Sequence, residues 1–122
     1  MSTFTQVQHV ITEVLEVEPE EVTPSTYVLR DLPTESIDLM EYGIGLNKEC
    51  GISVSDDIVF LKSLRLHMAE AEDNGIEQQI HLRSVYPHLS TDRIQEILQT
   101  VNAGPVLQVQ DIVAYIEHAK RA

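Results

Sequence analysis

Phe4, Val7, Ile11, Val14 and Leu15 recur at three- and four-residue intervals, which predicts an amphipathic helix over residues 3–16. Residues 17–35 hold Pro19, Pro24 and Pro33 among Ser and Thr, so they read as a long ordered loop. Val17, Val22, Tyr27, Val28 and Leu32 supply apolar anchors that let this loop lie on a core. A second helix fits residues 36–50, with Ile37, Met40, Ile44 and Leu46 as its inward or half-exposed set and Gly51 as its stop. Ser55, Asp56 and Asp57 then form a cap with acids in the first turn. They open a helix over 57–73 with Ile58, Leu61, Leu64 and Met68 inward, ended by Asn74 and Gly75.

A short helix follows over 76–85, stopped by Tyr86 and Pro87. Ser90 or Thr91 caps a helix over 91–102 built on Ile94, Ile97, Leu98 and Val101, closed by Gly104 and Pro105. Ile112, Val113, Ile116 and Ala119 share one stripe of a last helix over 109–119. No segment alternates with period two, and no internal repeat is present. The expected fold is therefore all-α, one helical bundle of five or six helices spanning residues 1–122.

Charge adds a second layer. The chain has 122 residues, 20 acids against 8 bases and a formal net charge of −12. Residues 1–57 carry 12 of the acids but only Arg30 and Lys48 as bases, whereas residues 58–122 are nearly balanced. Such a field argues against nucleic acid and anionic membranes and favours a basic protein partner. Apolar runs such as the four residues Ile58 to Leu61 are far too short to cross a membrane, so no transmembrane segment is expected. The opening MSTFTQVQHV has neither the basic start nor the apolar stretch of a signal peptide, which predicts a cytoplasmic protein, and a monomer is expected. Cys50 stands alone, so neither an internal disulfide nor a cysteine-rich zinc site is expected.

The stretch DLPTESIDLME, residues 31–41, resembles the modification site of the acyl carrier protein family. The family pattern of Asp-Leu, a short spacer, an acid, then Ser, an aliphatic, Asp and a nearby Glu is met by Asp31, Leu32, Glu35, Ser36, Ile37, Asp38 and Glu41. EVLEVEPEEVTP (13–24) looks like the end of the family's first helix and the loop after it, and VQDIVAYI (109–116) like its final helix. The resemblance covers residues 3–58 and 107–119 and implies a carrier bundle interrupted by a helical insertion within 59–106.

That resemblance implies a covalent 4'-phosphopantetheine, taken from coenzyme A, on Ser36. The arm's thiol would carry acyl groups as thioesters, and the protein itself would not be an enzyme. A helix N-terminus suits the arm's phosphodiester through free N–H groups and the helix dipole. Asp31, Glu35, Ile37, Asp38, Met40, Glu41 and Ile44 are the expected recognition residues. They would meet basic surfaces on a phosphopantetheinyl transferase and on acyltransferase, acyl-ligase or ketosynthase enzymes. Pro33 and Thr34 replace the family's usual Gly-Ala, Arg30 replaces an acid, and Asn47 and Lys48 replace acids further along. Gly43 and Gly45 each cost about 1 kcal/mol of helix propensity relative to Ala and leave room for an acyl chain or an inserted helix.

Other readings compete. Ser36 can be a plain helix cap. The five histidines, His9, His67, His81, His88 and His118, lack the spacing of a catalytic triad with Ser36 or of a metal site. A peptidyl or aminoacyl carrier expects Gly-Gly and His or Asp before the serine, unlike Pro33-Thr34-Glu35. A carrier-like interaction module that is never modified is the remaining alternative. The insertion predicts either a shelter for an acyl chain, from its many Leu, Ile and Val, or a docking surface built on Lys62, Arg65, Arg83 and Arg93.

Overall fold

The computed structural model describes residues 1–121, and its regular structure is helical. The helices are α1 (Thr3–Leu15), α2 (Ser36–Cys50), α3 (Asp56–Val59), α4 (Leu64–Asp73), α5 (Gln78–Val85), α6 (Thr91–Thr100) and α7 (Val109–Arg121). Single 3-10 turns at Pro19–Glu21 and Val101–Ala103 add to these. The only extended pairing among the described residues is an isolated antiparallel bridge between Tyr27 and Gln108. No helix among them is long and apolar enough to cross a membrane.

Helix α1 packs on α2 and α7, and α3 rests on α2 and α7. Helix α4 packs on α5, and α5 on α6. One continuous core joins them all, from Val7 and Ile11 through Tyr42 and Leu46 to Leu82, Ile94, Ile97, Ile112 and Ile116. The 17–35 loop is tied down by backbone bonds from Val28 to Leu107, Val109 to Thr26 and Gln110 to Pro24.

The single helix expected over 57–73 is broken. Val59, Phe60 and Leu61 are all buried, and a continuous helix turning 100° per residue cannot put three successive side chains into one core. The chain instead stops at Val59, places Leu61 at φ 55° and restarts at Leu64. A leucine in this left-handed region costs about 1 kcal/mol, offset by the burial of its side chain.

The glycines of α2 make room for protein rather than ligand. A Cβ on Gly43 would lie 2.5 Å from Asp56 Oδ1 at the start of α3, and one on Gly45 would lie 2.8 Å from Val10 Cγ1 on α1. Both neighbours belong to helices that pack against α2.

Of the basic residues of 59–106, Lys62, Arg65 and Arg83 are exposed, whereas Arg93 is withdrawn from any docking surface. Arg93 is buried, with Nε 2.7 Å from Asp111 Oδ1 and Nη2 2.9 Å from Asp111 Oδ2. Arg65 donates to the Val101 carbonyl and Arg83 to the Thr91 hydroxyl.

The histidines of this region stack with tyrosines. His67 meets Tyr86, Tyr86 meets His88, and His88 meets Tyr115 on α7 at 5.3 Å, each edge to face. His88 Nε2 is buried without a hydrogen-bond partner among the described residues. Burial, reinforced by repulsion from His118, pulls its pKa from 6.5 down to about 4. The unfolded chain therefore takes up a proton near pH 6.5 that the folded chain refuses until about pH 4. Stability is full above pH 6.5 and falls as the pH drops toward 4. The full shift corresponds to about 3 kcal/mol, and partial water access to the ring reduces it to about 2. His88→Phe should flatten the decline of melting temperature between pH 6.5 and 4.5 relative to the parent. Parallel declines would show that His88 carries no such penalty.

Candidate functional site

Ser36 is the first residue of α2 and is exposed. It does not cap the helix. Glu35 occupies the cap position; Asp38 Oδ2 accepts from the Glu35 N–H at 2.8 Å, and the Asp38 N–H donates to the Glu35 carbonyl at 3.0 Å. This pairing of Glu35 with Asp38 closes the start of the helix without using the Ser36 side chain. Ser36 Oγ and the Ser36 and Ile37 N–H groups consequently have no hydrogen-bond partner among the described residues. A free hydroxyl beside free amides at the positive end of a 15-residue helix suits a phosphodiester.

The approach to Ser36 is held from both sides. Asp31 Oδ2 accepts from the Tyr27 N–H at 2.8 Å, and Arg30 lies 4.2 Å over the Tyr27 ring. The Asp31 carboxylate thus closes the 27–31 turn while remaining exposed. Thr34 Oγ1 and Tyr42 Oη are 2.9 Å apart. Tyr42 is fully buried, and its ring meets Phe60 edge to face with centroids 6.4 Å apart.

Helix α2 divides its side chains cleanly. Leu39, Tyr42, Gly43 and Leu46 face the core. Ile37, Met40 and Ile44, expected to lie inward or half-exposed, are 54%, 49% and 52% exposed. They stand at i, i+3 and i+7, one stripe of the outer face, with exposed Glu41 beside them. Of the set expected to be inward or half-exposed, these three are half-exposed and Leu46 is buried. An apolar stripe beside acids offers a partner both contact area and charge.

A cavity of about 510 Å³ opens between the loop, the α3–α4 break and the return to α7. Leu29, Phe60, Leu61, Leu64, Val106 and Leu107 give it apolar walls, and Lys62 and Arg65 contribute positive charge. Its volume lies in the range of small-molecule sites. Phe60 belongs to this wall and also touches Tyr42, which holds Thr34 two residues before Ser36.

Sequence reasoning had no signal for this relay, because Thr34, Tyr42 and Phe60 share no motif. It also missed that α4 and α5 bring His67, Glu70 and His81 together. The i, i+3 spacing of His67 and Glu70 was the one local hint. No family model matches the chain, and no solved structure matches it.

Proposed function

We propose that the protein is an acyl carrier protein whose Ser36 hydroxyl receives 4'-phosphopantetheine from coenzyme A. The free Ser36 hydroxyl carries this reading, because the capping duty that would explain a serine there falls to Glu35 and Asp38. The sequence resemblance of residues 31–41 agrees with it. Packing of α1 and α3 each against both α2 and α7 supports an acyl-carrier-like bundle, with α4–α6 as an addition to it.

When attached, the arm would supply the thiol that carries acyl groups, and the chain's own residues present and shield it. The unpaired Ser36 and Ile37 amides favour the phosphodiester. Ile37, Met40, Glu41 and Ile44 form the face for a phosphopantetheinyl transferase and for acyltransferase, acyl-ligase or ketosynthase partners with basic grooves. The 510 Å³ cavity beside Phe60 would shelter an acyl chain. Such a carrier works in cytoplasmic lipid or related acyl-transfer biosynthesis, without catalysing a reaction itself.

Incubation with coenzyme A and a broad-specificity phosphopantetheinyl transferase, read by intact mass, tests the assignment. The parent should gain one phosphopantetheine and Ser36→Ala none. An unmodified parent, folded and beside a control carrier that reacts, would replace the carrier by an interaction module that never bears the arm.

A further inference from the structure

We propose that α4 and α5 form a binding site for a divalent transition metal, zinc being the ion that fits, with His67, Glu70 and His81 as ligands. His67 and Glu70 lie three residues apart on α4 and therefore share a face. His81 comes from α5, which packs directly on α4 across the Asn74–Gly75 turn. One donor atom from each of the three lies within 4.8 Å of the other two. The rings of His67 and His81 meet edge to face at 6.1 Å, and His67 Nδ1 is 2.6 Å from Glu70 Oε1.

The independent observation is His81 Nε2, which is buried without a hydrogen-bond partner among the described residues. A buried nitrogen left unpaired opposes folding, and coordination of a metal through that atom would give it a partner. Tetrahedral zinc sets ligand atoms about 3.4 Å apart, so gaps of up to 4.8 Å would close by no more than about 1.4 Å and the 2.6 Å His67–Glu70 pair would open by about 0.8 Å, both within reach of side-chain rotation. Two imidazoles and one carboxylate are borderline donors that prefer zinc or cobalt to magnesium or calcium. Three protein ligands leave a fourth position for water or an exogenous group, as in open zinc sites. Tyr86 backs the site, its ring 5.9 Å from His67. This site is independent of Ser36 and stands or falls separately from the carrier assignment.

The test uses the full chain after chelator treatment, titrated with Zn²⁺ by calorimetry and with Co²⁺ by visible absorption. One equivalent of Zn²⁺ should bind with a Kd of about 1 µM or tighter. Co²⁺ should give the intense bands of a four- or five-coordinate ion. Glu70→Gln and His81→Gln should each weaken binding at least about tenfold, judged against ligand-shell effects of that size. His9→Gln, which alters a different His–Glu group formed with Glu13 and Glu49, should leave the Kd unchanged. Cooperative metal-free melting of each variant establishes that it is folded, and the half-exposed Glu70 position covers the case in which His81→Gln fails to fold. Absence of saturable Zn²⁺ binding, binding that survives both substitutions, or a weak octahedral Co²⁺ spectrum would each overturn the site.

Discussion

Asp111→Ala is expected to lower folding stability by about 3–5 kcal/mol, the range for removing one partner of a buried ion pair. Asp111 is 1% exposed and accepts from Arg93 Nε and Nη2 as well as from the Gln108 N–H. Its removal strands the Arg93 guanidinium in the core, with only the Val106 carbonyl and a longer contact to Glu96 remaining. Burial works against the charge on Arg93, and Asp111 and Glu96 together more than offset this, so the guanidinium is held in its charged form. The pair clamps α6 to the start of α7, so its loss frees the segment from Val101 to Gln108. Urea denaturation should show the loss, and a melt should fall by roughly 15 °C for a domain of this size. Arg93→Met combined with Asp111→Leu should be less destabilised than either single variant, since no charge is then left unpaired. It should not reach the parent, because the Gln108 N–H and Val106 carbonyl each lose a partner at about 1–3 kcal/mol. A single-variant loss below about 1 kcal/mol would mean that water reaches Arg93 and that the clamp is weak.

This clamp also shows what the linear chain conceals. Arg93 read as one cation of a docking surface because its partner lies 18 positions away, on another helix. By contrast, α2 was legible to the residue. Its start is written in Glu35 and Asp38 and its end in Gly51, whose φ of 67° suits the left-handed cap, all local signals. The outer stripe of Ile37, Met40 and Ile44 was harder, because apolar residues occupy both faces of α2 and periodicity does not choose between them. The α3–α4 break was not legible, since Ile58, Leu61, Leu64 and Met68 satisfy a helix template. Only the competing claim of Val59 and Phe60 on the same core forces the chain to bend. The triad of His67, Glu70 and His81 depends on the α4–α5 turn bringing two helices together, which no single periodic segment encodes.

Tyr42→Ala is the second substitution with a large expected effect, a loss of about 3–5 kcal/mol as for other buried aromatic truncations. The ring has no exposure and lies between the pre-Ser36 loop and Phe60, so its removal leaves a cavity under both. Tyr42→Phe separates packing from hydrogen bonding. It keeps the ring against Phe60 and removes only the bond to Thr34, at a cost of about 1 kcal/mol because the half-buried Thr34 hydroxyl can turn to water. Burial pushes the Tyr42 hydroxyl up to about 12, with Thr34 pulling it down and Asp38 pushing it up, so it stays protonated at any working pH. The gap between the two variants should therefore be nearly independent of pH between 6 and 9. Urea denaturation gives the two losses, and hydrogen exchange at residues 32–36 reads the loop directly. Tyr42→Phe should speed exchange there while leaving α1 and α7 unchanged, which identifies Tyr42 as the residue that positions the approach to Ser36. Equal losses for the two variants would assign the whole effect to the hydroxyl. Unchanged exchange at 32–36 in Tyr42→Phe would instead leave Pro33 and the Asp31 turn as the loop's supports.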